Sequence, residues 1–251
     1  MKQPNFYSVI IGTELLNGRR KDAHFAFLNQ ELLKRGWTHK GSFVIEDDPL
    51  LMENTFNLIK SDENSVMFCF GGIGSTPDDL TREVAAKVFR EEKMEFNAKA
   101  KELVENEFKE KAYPHRIYMS YLPVGAKLLD NVVNRVPGFY LDDRFFFTPG
   151  FPSMSQAMVL QALDTYYIKN NINKYRLSLT ANCGESDLID LMKEVPSKVE
   201  LSSLPKFVDN KRQTVISLSS TDEKILDNSF EKFISQLKKL QVEFILKDIS
   251  L

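Results

Sequence analysis

The chain alternates short apolar runs with longer segments of helical period, and this alternation limits its fold more than any other feature of the sequence. Three runs near the amino terminus, at 6–11, 42–45 and 66–70, have the length of strands. The third run is apolar throughout, which is typical of parallel strands that helices cover on both faces. The sequence therefore predicts an α/β fold with helices on both sides of a sheet.

A polar segment at 169–174 is predicted to link two domains, an α/β domain at 1–168 and a small α+β domain at 174–251. In the first domain, the pattern also predicts helices at 22–35, 78–90 and 94–111 and strands at 127–129, 138–141 and 145–148. In the second, it predicts strands at 176–180, 198–202 and 214–219 and helices at 185–193 and 222–240.

Composition excludes several classes of function. Lys and Arg number 33 against 35 Asp and Glu, and this balance argues against a broad nucleic-acid-binding surface. No apolar stretch approaches the roughly 20 residues that a membrane-spanning helix needs, so no membrane association is expected. The 2 cysteines form neither a disulfide framework nor a zinc motif, which favours a cytoplasmic location.

The strongest local signal follows the third predicted strand, where Gly71, Gly72 and Gly74 come shortly before a predicted helix. Glycines let backbone N–H groups approach an anion, and a helix N-terminus adds partial positive charge, so phosphate or diphosphate is the expected ligand. Asp78 and Asp79 would repel that ligand unless a cation lay between them, so the loop predicts a divalent metal ion such as Mg²⁺. The alternative is that both aspartates only stabilise the first turn of the helix.

Acidic residues also follow the first two predicted strands. Glu14 comes just after the first strand, and Asp47 and Asp48 come just after the second. Because ligands of open parallel sheets bind beyond the carboxyl ends of the strands, Glu14, Asp47 and Asp79 are expected to face one crevice. For Asp47 and Asp48 alone, capping of the following helix is the more common role.

Several motifs occur in an order that is similar to a known family. They read GTELLNG at 12–18, GGIGSTPDDLT at 71–81, LPVGA at 122–126, PGF at 137–139 and PGFP at 149–152. This series resembles the molybdopterin-binding domain of the MoaB/MogA type, and more closely the branch at the N-terminus of the competence/damage-inducible protein CinA. GESDL at 184–188 and SLPK at 203–206 resemble the smaller domain that follows in that branch.

The resemblance implies a three-layer α/β/α domain followed by a small KH-like α+β domain. It implies that Asp79 and Asp47 are the key acids of the crevice. In the molybdenum-cofactor branch this crevice handles molybdopterin, whereas the CinA-like branch cleaves a diphosphate in a metal-dependent reaction, typically in ADP-ribose. Related domains are commonly oligomeric, so a homo-oligomer is expected from the resemblance.

The chain departs from the family pattern at four places. His24 stands where the family usually has Asn, Ser75 replaces Pro, Asn134 and Val136 replace Gly and Ala, and Met154 replaces an acidic residue. His24 is expected on the surface of its helix. Since both aspartates and the glycine loop are present, these departures favour retained phosphate binding over retained rapid catalysis.

The resulting hypothesis is a metal-dependent nucleotide pyrophosphatase with Asp47, Asp79 and Glu14 as catalytic residues and Asp78 and Asp79 as metal ligands. The alternatives are a molybdopterin-binding protein and a non-catalytic member of the fold, so the expected partner is a small nucleotide or pterin. The residues expected to contact the ligand are Gly12, Thr13, Gly71, Gly72, Gly74, Ser75, Thr76, Thr81, Pro149 and Gly150.

Overall fold

The computed structural model of the chain describes residues 3–170, 174–209 and 211–247. The chain forms two compact units, 1–170 and 171–251, and each has a hydrophobic core of its own. Residues 171–173 of the predicted linker lie outside the described residues.

The strands of the first unit are β1 (Asn5–Ile11), β2 (His39–Ile45), β3 (Ser65–Phe70), β4 (Met94–Phe96), β5 (Tyr121–Pro123), β6 (Lys127–Leu129), β7 (Gly138–Leu141) and β8 (Phe145–Thr148). Six of them form one sheet in the order β2-β1-β3-β8-β7-β6. β2, β1, β3 and β8 run parallel, β7 pairs antiparallel with β8 and β6, and β4 pairs with β5 in a separate two-stranded sheet. The carboxyl ends of the four parallel strands therefore lie at one edge, together with the loop that enters β7.

Helices cover both faces of this sheet. They are α1 (Thr13–Leu16), α2 (His24–Lys34), α3 (Pro49–Lys60), α4 (Thr81–Arg90), α5 (Ala98–Phe108) and α6 (Pro152–Tyr166), with short 3₁₀ helices at Lys109–Ala112 and Arg116–Ser120.

The period-2 alternation of β3 shows how one apolar run builds two cores. Met67 and Cys69 pack on the side of α3 and α4, whereas Phe68 and Phe70 pack on the side of α2 and α6. The expected three-layer α/β/α domain is confirmed.

One predicted helix is wrong at its beginning. The segment 94–111 reads as a single helix, but its first three residues form β4, and α5 starts only at Ala98. The side chain of Asn97 accepts a hydrogen bond from the Ala100 N–H at 3.0 Å, so Asn97 is the N-cap that begins the helix. Pairing with β5, which the sequence pattern did not show, overrides the local helical preference before this cap.

The elements of the second unit are β9 (Tyr175–Ala181), a 3₁₀ helix (Glu185–Leu188), α7 (Ile189–Lys193), β10 (Glu200–Val208), β11 (Lys211–Ser220), α8 (Glu223–Lys239) and β12 (Phe244–Lys247). The strands form an antiparallel sheet in the order β10-β11-β9-β12, and helices pack on it. The apolar residues that α8 buries at helical spacing are Leu226, Phe230, Phe233 and Leu237, whereas Leu240 at the end of the helix is exposed. Strand β12 was not predicted. Across the described ranges of both units, no helix is long and apolar enough to span a bilayer.

Substitution of two adjacent leucines of α2 tests the core between the sheet and the helices α2 and α6. Leu32 is 0% exposed and Leu33 is 55% exposed. We expect Leu32→Ala to lower the free energy of unfolding by about 2–5 kcal/mol, because it leaves a cavity against β1 and α6. Leu33→Ala removes the same atoms from an exposed position and is expected to change the free energy of unfolding by less than about 0.5 kcal/mol. Urea denaturation of both variants measures the difference, and equal losses would contradict this packing.

Candidate functional site

The loop after β3 has a conformation that only glycine fits. Gly71 and Gly72 have φ angles of +104° and +69°, in the left-handed region that disfavours other residues. A β carbon on Gly71 would lie 2.5 Å from the backbone oxygen of Ile11, and one on Gly72 would lie 2.2 Å from Thr81 Oγ1. The loop thus packs directly on the end of β1 and on the start of α4.

Thr81 supports this loop from beneath. Its side chain is fully buried, and its Oγ1 donates a hydrogen bond to the Gly71 carbonyl at 3.0 Å. Its N–H donates to the Gly72 carbonyl at 2.9 Å. The structure corrects the expected ligand contact of Thr81, because the hydroxyl is committed to the loop and has no exposed surface.

A buried cation, Arg82, lies beside Thr81. Arg82 is 4% exposed, and its guanidinium donates hydrogen bonds to the carbonyls of Ile73 at 2.6 Å and Gly74 at 2.5 Å. Its Nε is buried without a hydrogen-bond partner among the described residues, and the carboxylate of Glu83, which is exposed, is 3.9 Å from its Nη2. Burial lowers the pKa of Arg82, because desolvation penalises the charged form. A buried positive charge, which the carboxylates of Glu83 and Asp79 offset in part, therefore lies under the glycine loop, where it favours an anion above it.

Asp47 and Asp79 are held in the same way, each by a threonine of a neighbouring turn. The N–H and Oγ1 of Thr13 donate to Asp47 Oδ2 at 2.8 and 2.9 Å. The N–H and Oγ1 of Thr76 donate to Asp79 Oδ2 at 2.8 and 2.5 Å. Within the described ranges, the hydrogen bonds to these two half-buried carboxylates all go to Oδ2, and Oδ1 of each accepts none.

The neighbouring acids differ in their roles. Asp48, and not Asp47, caps α3, because its carboxylate accepts a hydrogen bond from the Leu51 N–H at 2.6 Å. Asp78 is exposed at the rim of the loop. Glu14 folds back over Gly12, with its Oε2 only 2.9 Å from the position a β carbon there would take, and its Oε1 is 3.6 Å from the Arg20 guanidinium.

The acids do not form a metal cage by themselves. In residues 3–170, 174–209 and 211–247, no three His, Cys, Asp or Glu side chains are grouped so that they could hold an ion. β1 separates β2 from β3, and neighbouring strands are about 4.8 Å apart, so the strands that carry the two loops are roughly 10 Å apart. Asp47 and Asp79 follow parallel strands and so lie at the same edge of the sheet, in separate loops. That they face one crevice together with Glu14 stays a prediction.

The remaining predicted positions lie at the same edge. Gly74 packs against Asp79, whose Oδ2 is 2.5 Å from the position that a β carbon on Gly74 would take. Ser75, the next residue in the loop, is half-buried. Pro149 and Gly150 follow β8, and a β carbon on Gly150 would lie 3.3 Å from the Gly71 Cα atom.

Asn134 belongs to the loop before β7, where its Oδ1 accepts hydrogen bonds from Asn131 Nδ2 at 2.7 Å and Val136 N–H at 3.2 Å.

Two residues of the site were missed or misplaced by sequence reasoning, and both bind Gly150. Arg20 donates a hydrogen bond to the Gly150 carbonyl at 3.0 Å, across 130 residues of chain. His24 is 5% exposed and stacks on Phe70 with ring centroids 4.5 Å apart, so the expected surface position is wrong. His24 Nε2 lies 3.3 Å from the Gly150 carbonyl and therefore donates to it, while Nδ1 accepts from Ser155 Oγ at 3.2 Å.

Comparison with known families is decisive for the first unit. Residues 8–167 match the family described as "Probable molybdopterin binding domain". The chain belongs to this family. The match covers the whole glycine loop, both threonine-bound aspartates and the turn at Gly150.

Relatives extend the similarity beyond this domain. A CinA-like protein of Fusobacterium nucleatum is 28% identical over 94% of this chain, which spans 58% of that protein's length. A protein of Caldivirga maquilingensis is 27% identical over 92% of this chain and 94% of its own length. The crystal structure of a CinA of unknown function from Thermoplasma acidophilum is 25% identical and covers 66% of this chain and 98% of its own, with a TM-score of 0.58.

Paired glycine substitutions separate backbone strain from packing in the loop. Gly18 has a φ of +77°, but a β carbon added to it would have no atom within 4 Å, whereas one added to Gly72 would clash with Thr81. We expect Gly18→Ala to cost about 1 kcal/mol of stability from backbone strain alone. Gly72→Ala is expected to cost about 2–5 kcal/mol, because overpacking adds to that strain. Urea denaturation of the two variants measures both losses of stability. Similar losses would contradict the close approach of Thr81 to Gly72.

The buried imidazole of His24 gives the site a pH dependence. Burial lowers the pKa of His24 below its ordinary value, outweighing the hydrogen bond to Gly150. Its contribution to stability is therefore present above the unfolded-state pKa of about 6.5 and is lost as the pH falls below it. We expect the free energy of unfolding to fall less between pH 7 and pH 5 in His24→Gln than in the unsubstituted chain. His115→Gln, at an exposed position, is the control, and an unchanged pH slope in His24→Gln would contradict the assignment.

Proposed function

We propose that the first unit binds the diphosphate of a nucleotide at the loop formed by residues 71–76 and hydrolyses it, with ADP-ribose as the type of substrate. The observation that carries this proposal is the pair of aspartates, Asp47 and Asp79, which flank the loop and each have one carboxylate oxygen that accepts no hydrogen bond within the described ranges. A diphosphate can accept hydrogen bonds from the loop amides while the acids hold its cation.

A divalent cation fits this arrangement when it arrives with the substrate. Mg²⁺ usually keeps several waters and binds through one or two carboxylates plus substrate phosphates, so a preformed cage of three acids is not required. Asp79 would hold it, with help from Asp47 or from Asp78 at the rim. When bound, the ion polarises the phosphoryl oxygens.

The chain's own residues account for the rest of the reaction. A water oxygen attacks one phosphorus, the bridging P–O bond breaks, and the two products are phosphate monoesters. The amides of residues 72–75 and the buried charge of Arg82 stabilise negative charge on the phosphates. Glu14 is the candidate for orienting the water, and Arg20 fixes the position of its carboxylate.

The second candidate is binding of a pterin without hydrolysis. The family description supports a small-molecule ligand of the molybdopterin type. Met154, in the first turn of α6 where the family pattern has an acid, supports slow turnover. A non-catalytic member of the fold is the remaining alternative. Self-association, expected from the resemblance, stays a prediction.

Hydrolysis of ADP-ribose with several divalent metals tests the first candidate. We expect Asp79→Asn to lower kcat by roughly 100-fold or more, because it removes the carboxylate that would hold the cation beside the reacting phosphates. Asp164→Asn is the matched control, since this exposed carboxylate lies far along α6 from the sheet edge and pairs with Arg35. Unchanged turnover in Asp79→Asn would contradict the proposed mechanism. Tight binding of a pterin by a chain that cleaves no diphosphate would favour the second candidate.

A further inference from the structure

We propose that Phe151, with Arg20 on one side of its ring, forms a platform on which the planar heterocycle of the ligand stacks. This proposal rests on the proposed function, because it assigns a subsite to the same ligand. It names an aromatic heterocycle joined to a diphosphate as the chemistry that the site recognises.

The first observation is an exposed aromatic ring at a rigid position. Phe151 is 57% exposed, although it lies between a buried strand and a core helix. Its carbonyl accepts hydrogen bonds from the Met154 and Ser155 N–H groups at 2.9 and 3.0 Å. On the other side, the carbonyl of Gly150 is bound by Arg20 and His24. The backbone is therefore held on both sides of a side chain that faces solvent.

The second observation is the cation beside that ring. The Arg20 guanidinium lies 5.3 Å from the centroid of the Phe151 ring. The hydrogen bond to Gly150 and the ion pair with Glu14 fix its position. Arg20 thus restrains the ring from one side, and the exposed surface of the ring stays accessible to a second planar group.

The third observation is the distance to the glycine loop. Gly150, the residue before Phe151, is in contact with Gly71, where the proposed phosphate loop begins. Phe151 is therefore one residue away from a direct contact with the loop that is proposed to hold the diphosphate. Stacking on an aromatic side chain tolerates any planar base, so adenine and a pterin satisfy the same chemistry.

Binding of ADP and of inorganic pyrophosphate, each with Mg²⁺, tests the platform by calorimetry. Both probes carry a diphosphate, but only ADP carries a heterocycle. We expect Phe151→Leu to weaken ADP binding about tenfold and to leave pyrophosphate binding unchanged. Phe151→Trp is expected to retain ADP affinity, and its added indole fluorescence should be quenched by ADP but not by pyrophosphate.

The outcomes separate this proposal from the proposed function. Equal ADP affinity in Phe151→Leu and the unsubstituted chain would overturn the platform but leave the phosphate site intact. Failure of the unsubstituted chain to bind either probe would overturn both. Retained pyrophosphate binding in Phe151→Leu shows that the variant is folded, so weakened ADP binding then supports the platform directly.

Discussion

The contact between the glycine loop and the end of β1 is the constraint on which the site depends. Gly71 approaches the Ile11 carbonyl so closely that no side chain fits between them. The Gly71 N–H also donates to the Thr148 carbonyl at 2.9 Å, so the loop is attached to the ends of both β1 and β8. The positions of Asp79, Gly150 and Phe151 follow from this attachment, because each lies on a segment that packs against the loop or continues from it.

Much of the fold could be predicted because its signals are local. The buried strands β3 and β8 are continuous apolar runs, and the glycines after β3 mark the loop without any knowledge of the neighbours. The parallel order that brings Asp47 and Asp79 to one edge also follows from the pattern of alternating strands and helices. β4 was missed because three residues carry too little pattern to outweigh the helical segment that follows.

The contacts of the site between residues far apart in sequence could not be predicted from local signals. His24 lies 126 residues from Gly150 in sequence, so nothing local identifies that partner or the stacking on Phe70. Its burial did have a local signal, because His24 precedes Leu28 by four residues and Leu32 by eight and therefore shares their buried helix face. Arg20 looks like an ordinary basic residue of a loop. The roles of Asp47 and Asp48 differ only because Thr13 reaches the first and Leu51 the second, and a sequence does not distinguish such neighbours.

The burial of Arg82 has a consequence for how the loop attracts anions. Dissolved ions screen exposed charges within about 8 Å at physiological ionic strength, but they screen a charge inside the protein much less. Added salt therefore weakens the attraction of exposed lysine and arginine side chains for phosphate. The attraction exerted by a guanidinium enclosed beneath the loop carbonyls is weakened less, so the phosphate binding proposed for this loop is expected to persist at ionic strengths that weaken a surface cluster of lysines.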